Sequence, residues 1–251
     1  MTGEYPRTCA LIAAGGRGTR AGLPYPKTLF EVQGQPILLR VARALTPYAD
    51  QLVVVASPDG SALVGECLAG AGISARVAVQ SAPLGMGHAV LAGLAAIEAE
   101  NVLLAWGDIP FLQPSTVAAM VAAHHKHGND FTFATALVQS AYTLVSRDAK
   151  GVVTSVIETR EAGIADPGPG EREIGLFIFR SRAIEALLRQ DLPGKIGRHT
   201  GEHGFLYLIG HLAASGCKVE AVPVAVELDL VSLNRMADVA AYLPPGGLGP
   251  A

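Results

Sequence analysis

An α/β fold, a three-layer sandwich around a mostly parallel central sheet, is predicted by three features of this 251-residue chain. Short apolar runs alternate with helical stretches, a glycine-rich turn follows the first run, and half of the residues are hydrophobic. Strand and helix in alternation imply parallel strands covered on both faces, with ligands held outside their carboxyl ends.

In chain order, strands are expected over 8–14, 51–56, 75–80 and 101–106, each a short apolar, β-branched or alternating run. Helices are expected over 36–48, 61–71, 87–100 and 114–127. The first and last of these open at Pro36 and Pro114, whose fixed φ suits a first helical turn. Beyond them 130–136, 142–146, 152–157 and 174–179 read as strands linked by turns or by a loop over 165–171, which predicts an added, partly antiparallel sheet. Helices over 181–190 and 203–215, a strand over 218–222 and a helix over 235–242 complete the pattern. No linker composition and no internal repeat divides the chain, so 1–243 reads as a single domain and the Pro/Gly-rich residues 244–251 as a disordered tail.

Composition removes several classes of function. The formal charge of −3, with both signs interspersed, lacks the basic stripe of a nucleic-acid groove. The first residues carry no basic-then-apolar signal and no apolar run reaches membrane-spanning length, so a cytoplasmic protein is expected, with no membrane partner. Cys9, Cys67 and Cys217 are too far apart for a zinc knuckle or a disulfide framework, and Cys9 reads as a buried thiol. His124, His125 and His127 precede Gly128 at a helix end, where partly cationic side chains would complement the helix dipole; this reading is preferred to a metal site.

The segment from Leu11 to Lys27 carries the chemistry. An apolar strand ends in Ala13-Ala14 and enters Gly15-Gly16-Arg17-Gly18-Thr19-Arg20, with Lys27 following Pro26. Glycines let a loop expose its N–H groups to a polyanion, and Arg17, Arg20 and Lys27 have no apolar reason to be there. The run from Gly16 to Ala21 also fits the dinucleotide pattern G-x-G-x-x-G/A. That pattern wants an acidic residue about 20 positions on, at the end of the next strand; here the second strand ends Val54-Val-Ala-Ser-Pro58 and Asp59 comes too late. A P-loop is excluded because no Gly-Lys-Ser/Thr closes the turn. The bland alternative is a glycine turn with solvated cations.

With its spacing to Pro26-Lys27, this loop resembles the signature of the sugar-1-phosphate nucleotidylyltransferases. Gln80 with Leu84-Gly-Met-Gly-His-Ala-Val90 resembles the nucleobase-reading segment of the uridylyltransferase domain that makes UDP-N-acetylglucosamine. Trp106-Gly-Asp-Ile-Pro-Phe111 resembles its metal-aspartate motif, Val156-Ile-Glu158 its sugar-contacting glutamate, and Leu233-Asn-Arg-Met-Ala-Asp-Val239 its closing asparagine motif. The motifs run in family order from about Cys9 to Tyr242. The resemblance implies a Rossmann-like fold of the nucleotide-diphospho-sugar transferase type, without the acyltransferase repeats that some family members carry. Its residue roles carry over as nucleotide contacts from Leu11, Ala13, Ala14, Gly15, Gly16, Arg17, Gly18, Thr19, Gln80, Gly85, Met86 and Gly87, and acceptor contacts from Thr143, Glu158 and Glu173. Arg20 and Lys27 are the catalytic cations, and Asp108 and Asn234 the metal ligands.

The physical roles agree with that assignment. A phosphate oxygen of a small phosphorylated acceptor attacks the α-phosphorus of a nucleoside triphosphate, UTP being favoured; this nucleophile is already ionised, so no general base is required. Catalysis is then orientation and charge neutralisation. Arg20 and Lys27 would neutralise triphosphate oxygens, and Mg2+, which takes one or two protein oxygens besides phosphates and water, suits Asp108 and Asn234. Each residue has a competing role. Asp108 could cap the helix at Pro114, Asn234 could be an N-cap, Lys27 a solvated loop lysine and Gln80 a polar strand end. Gly85 and Gly87 would let a base lie against backbone, with His88 supporting the pocket.

The chain departs from the family pattern at several positions. Where it reads Glu-Ile-Asn-Thr-Gly this chain has Glu171-Arg-Glu-Ile-Gly175, which places Glu173 at the sugar-contacting amide; Thr143 replaces a glycine and Met86 a threonine. A carboxylate accepts hydrogen bonds without donating them, so Glu173 points to another sugar or a cationic group, or is a surface carboxylate ahead of a strand. The alternatives to the favoured reaction are a CTP- or dTTP-dependent enzyme with a non-hexosamine or non-sugar acceptor, and a non-catalytic sugar-nucleotide sensor.

Overall fold

The computed structural model describes residues 6–16 and 18–243; Arg17, the side chain of Arg20 and the expected tail 244–251 lie outside the described residues. Seven strands form the central sheet: β1 (Thr8–Ala13), β4 (Gln51–Ala56), β5 (Arg76–Val79), β6 (Asn101–Trp106), β7 (Phe131–Val138), β10 (Gly170–Arg180) and β11 (Val219–Val222). Their spatial order is β11-β7-β10-β6-β1-β4-β5, and β10 alone runs against the rest. Helices α1 (Ile37–Leu45), α2 (Ser61–Gly70) and α4 (Pro114–His127) cover one face; α3 (Met86–Leu94), α5 (Ser181–Arg189) and α6 (Tyr207–Ala214) cover the other.

The packing follows from strand alternation. Ala10 and Ile12 of β1 point into one core layer while Cys9, Leu11 and Ala13 point into the other. All six residues of the strand are therefore buried, which is why its sequence is a continuous apolar run. Among the described residues no helix is long and apolar enough to cross a membrane.

Several expectations need correction. The strands expected around 130–136 and 174–179 join the main sheet as β7 and β10; the separate antiparallel pair consists only of β8 (Thr143–Arg147) and β9 (Val153–Glu158). Residues 165–169 of the loop expected over 165–171 stay irregular, but β10 starts at Gly170, because Gly170 to Glu173 pair with Val138 to Thr135 of β7. Thr135 Oγ1 and Arg147 fasten Glu171 there at 2.7–2.8 Å. Such pairing between distant segments leaves no local signal.

A hairpin of β2 (Glu31–Val32) and β3 (Gln35–Pro36) precedes α1 and turns through Gln33 and Gly34, both at positive φ. Helix α1 stops before a 3₁₀ turn that contains Pro47, and α3 ends at Leu94 rather than near residue 100. Helix α6 begins at Tyr207, not at 203, because the backbone of His203 bonds Leu84 O at 2.7 Å and Gly87 N at 2.9 Å. The closing helix α7 covers only Met236–Ala240.

Candidate active site

The carboxyl ends of β1, β5 and β6 open on a common cleft. After β1 the chain passes Gly15 and Gly16 to Gly18, whose φ of +77° lies in the left-handed region that only glycine enters without strain. Ala13, Gly15, Gly16, Gly18 and Thr19 line a cavity of about 340 Å³ together with Lys27, Gln80, Gly85, Met86, Asp108 and Asn234. Leu11 is not among them. It sits one step down the strand, fully buried in the core, so a nucleotide contact from its side chain is ruled out by packing. Ala14 is buried at the rim, its N–H spent on Val55 O at 2.8 Å.

At the next strand end, Gly107 N donates to Ala13 O at 2.9 Å and locks the turn after β6 against the loop after β1. Asp108 follows directly. Its Oδ2 pairs with Lys27 Nζ, and both side chains are mostly buried. Its Oδ1 is buried with no hydrogen-bond partner among the described residues. Leu233 N donates to Asp108 O at 2.8 Å and so draws Asn234 to the same cleft. There Asn234 Nδ2 donates to Ser232 Oγ at 2.9 Å, and among the described residues no donor reaches the amide oxygen.

The capping alternatives for these residues can be decided. Asp229 ties down the start of α4: it is 1 % exposed and accepts from Gln113 N, Thr116 Oγ1 and Val226 N at 2.7–2.9 Å. Asp238 accepts from the N–H groups of Asn234 and Arg235 at 3.1 and 2.7 Å ahead of α7. Neither Asp108 nor Asn234 caps a helix. Two uncommitted hard oxygens beside a triphosphate-sized space suit a divalent cation such as Mg2+. Lys27 is not a solvated loop lysine either, since its ammonium is held on Asp108.

On the far side of the loop Gln80 is 6 % exposed. Its Nε2 donates to Gly85 O at 3.0 Å and lies 3.2 Å from Nδ1 of His88 in the first turn of α3. A carbonyl can only accept, which fixes the amide orientation and turns Gln80 Oε1 toward the cleft. Gly85 lines the cleft, but Gly87 does not: a side chain there would strike Gly204 O at 2.2 Å. Its bareness accommodates the 203–204 loop rather than a base.

A second cavity, of about 850 Å³, is continuous with the first and shares Lys27, Met86, Trp106, Asp108 and Asn234 with it. Thr143, Glu158 and Glu173 all line it. Burial, reinforced by Glu161 and Glu202, raises the Glu158 carboxyl above its ordinary range. Glu173 is not a surface carboxylate before a strand. It lies inside β10 at 2 % exposure, with Oε2 accepting from Gly175 N at 2.5 Å and Oε1 from Thr143 Oγ1 at 3.4 Å.

Burial pushes Glu173 up to about 7, against the opposing pull of the Gly175 N–H and of Arg172. Near neutrality it therefore holds a proton part of the time and can donate as well as accept, contrary to the sequence reading. Because its folded pKa is raised, its contribution to stability is fully present below pH 4.5 and is lost as pH rises to 7. Unfolding free energies from denaturant titrations at pH 5 and pH 8 are expected to differ by about 2–3 kcal/mol more in the native protein than in Glu173→Gln, which removes the titration. An equal pH response in the two proteins would contradict the assignment.

The turn that buries Glu173 depends on Gly175. The β7–β10 register breaks between Glu173 and Phe177, and Gly175 sits in the break at φ +80°. A Cβ there would fall 2.2 Å from Trp106 Cδ1, and Trp106 is wedged against Phe177 and Phe205 at ring distances of 4.9 and 5.7 Å. Gly175→Ala combines backbone strain with an overpacked core, and a loss of about 3–4 kcal/mol in unfolding free energy is expected. An unchanged melting temperature would refute it.

The structure adds Trp106, Tyr142, Arg172 and Glu202 to the lining. Trp106 and Arg172 stood inside motifs and Tyr142 beside Thr143, so all three were within reach of the sequence; Glu202 comes from a segment with no motif. The histidine cluster divides differently from expectation. His124 is buried, bonded to Thr132 Oγ1 at 2.9 Å and pushed down to about 4, and burial also lowers His125, so neither supplies helix-end charge at neutral pH. His127 faces Glu220 Oε2 at 2.8 Å, and Gly128 ends α4 at φ +62°. Cys9 is a buried thiol, raised by burial to about 11.

A parallel sheet with a glycine-rich loop, a lysine and an aspartate meeting at its carboxyl edge defines a nucleotidyltransferase. Residues 10–192 match the MobA-like NTP transferase domain, and the chain belongs to that family. It is similar to the bifunctional protein GlmU of Kineococcus radiotolerans, 33 % identical over 242 residues that cover 92 % of this chain and 48 % of that one. It is also similar to bifunctional GlmU of Carboxydothermus hydrogenoformans, 29 % identical over 233 residues, 92 % of this chain and 51 % of that one. The chain thus spans about half the length of the curated relatives it matches. Its fold is shared with a nucleotidyl transferase from Methanothermobacter thermautotroptrophicus, at a TM-score of 0.61 and 19 % identity over 94 % of this chain and 95 % of that one.

Proposed function

We propose that this protein transfers a nucleotidyl group from a nucleoside triphosphate, preferably UTP, to a sugar 1-phosphate, with release of pyrophosphate and dependence on Mg2+. The observation that carries this reading is the Lys27–Asp108 pair standing with Asn234 where the two cavities meet. One cavity takes the triphosphate and the other the acceptor, so the reacting phosphates converge on that pair.

Asp108 Oδ1 and the Asn234 amide oxygen would hold the metal, which supplies charge neutralisation on the phosphates when bound. Loop N–H groups from Gly15 to Thr19 position the triphosphate, and Lys27, with Arg20, neutralises charge that builds as pyrophosphate leaves. Gln80 Oε1, an acceptor, suits the N3–H of uracil or thymine, which cytosine lacks. The Glu158–Glu173 side of the second cavity holds the acceptor.

Pyrophosphate release measured with UTP, dTTP, CTP and ATP against a panel of sugar 1-phosphates tests the reading. Mg2+-dependent release with UTP is expected. Release only with CTP would overturn the base assignment. Tight binding of a sugar nucleotide with no release for any pair would favour a sensor instead.

A further inference from the structure

The acceptor cavity contains a cation that the reaction as described leaves without a task. Arg172 lines it alongside Lys27, Asp108 and Asn234. Its guanidinium lies 4.1 Å from the centre of the Tyr142 ring, and Nη2 donates to Leu230 O at 3.1 Å. Nε is buried without a partner. The family motif quoted above carries isoleucine here, so a fixed, incompletely bonded cation has replaced an apolar residue.

Among the described residues Arg172 makes no salt bridge, and its neighbour Glu173 turns both carboxylate oxygens to Gly175 and Thr143. A planar cation stacked on an aromatic ring keeps its charge and its edge N–H groups available for a bidentate anion. Tyr142 and Arg172 border the same cavity as Lys27, Asp108 and Asn234, so the guanidinium faces the space that the metal-side residues also face. The anion due there is the acceptor's own phosphate, which must reach the α-phosphorus between Lys27 and Asp108.

We infer that Arg172 is the residue that grips the phosphate of the acceptor, with Tyr142 as its shelf, and that it acts on the acceptor alone and not on the triphosphate. This inference rests on the proposed nucleotidyl transfer.

The test uses methyl phosphate as the probe, titrated by calorimetry into the full chain saturated with Mg2+ and a non-hydrolysable UTP analogue. Native protein is expected to bind the probe, Arg172→Gln to bind it at least tenfold more weakly, and Arg172→Lys to recover part of the loss. Affinity for the UTP analogue and the melting temperature should change little, which separates a contact from a folding effect. Equal probe affinity in native protein and Arg172→Gln, or no binding by native protein, overturns the inference, as does an equal loss of UTP-analogue affinity. If the native protein fails to bind the UTP analogue at all, the proposed transfer itself falls; if it binds the analogue and releases pyrophosphate but ignores Arg172, only this inference falls.

Discussion

Asp108→Ala is expected to lower the rate of pyrophosphate release by about 10³-fold at saturating substrate, with no comparable loss of fold. The two carboxylate oxygens differ: Oδ2 balances Lys27, and Oδ1 is buried without a bond from the described residues. Such an orphaned oxygen costs folding energy unless it has an occupant in the working protein, and the adjacent amide oxygen of Asn234 points to a shared cation. Asp108→Asn is the sharper control. It keeps the shape and a hydrogen-bond partner for the lysine region but removes the charge, and nearly the same loss of rate is expected. A rate within tenfold of native in both variants would remove Asp108 from the chemistry.

Lys27→Ala is expected to reduce turnover by about 10²–10³-fold, since it removes a cation from the point where charge develops. The ion pair adds a second expectation of opposite sign. With Lys27 on Asp108, a divalent cation must displace or share the ammonium, so Mn2+ affinity measured by paramagnetic resonance without nucleotide should rise in Lys27→Ala while turnover falls. Triphosphate oxygens offer Lys27 another anion, and nucleotide should therefore strengthen metal binding in the native protein more than in the variant. A drop in nucleotide-free Mn2+ affinity in Lys27→Ala would show that the lysine assists the metal directly and would sink this account.

Local sequence made the strand-and-helix frame legible because strands buried on both faces must be apolar throughout. β1 and β6 could hardly be read otherwise, and Gly128 marked the end of α4 by a property of one residue. The glycine loop, Lys27, Asp108, Gln80 and Asn234 were equally legible, each lying beside a strand or helix end in a recognisable spacing. What escaped were features made by pairing across distance. The extension of β10 back to Gly170 depends on β7, and the late start of α6 depends on the bonds between His203 and the 84–87 segment. Leu11 and Gly87 illustrate the reverse error. Both stand inside functional motifs, but one faces the core and the other faces backbone.

By itself, then, the sequence determined the class of fold, the glycine-rich loop at the sheet's carboxyl edge and the charged residue types gathered beside it, because these follow from alternation, glycine and charge along a short stretch of chain. Only the tertiary structure decided that Lys27 rests on Asp108, that Asp229 and Asp238 take the capping roles, that Glu173 is buried with its carboxyl pushed up by burial, and that Arg172 lies on Tyr142 inside the second cavity. Burial and partner choice are set by which segments the sheet brings side by side, and no spacing within one segment encodes them.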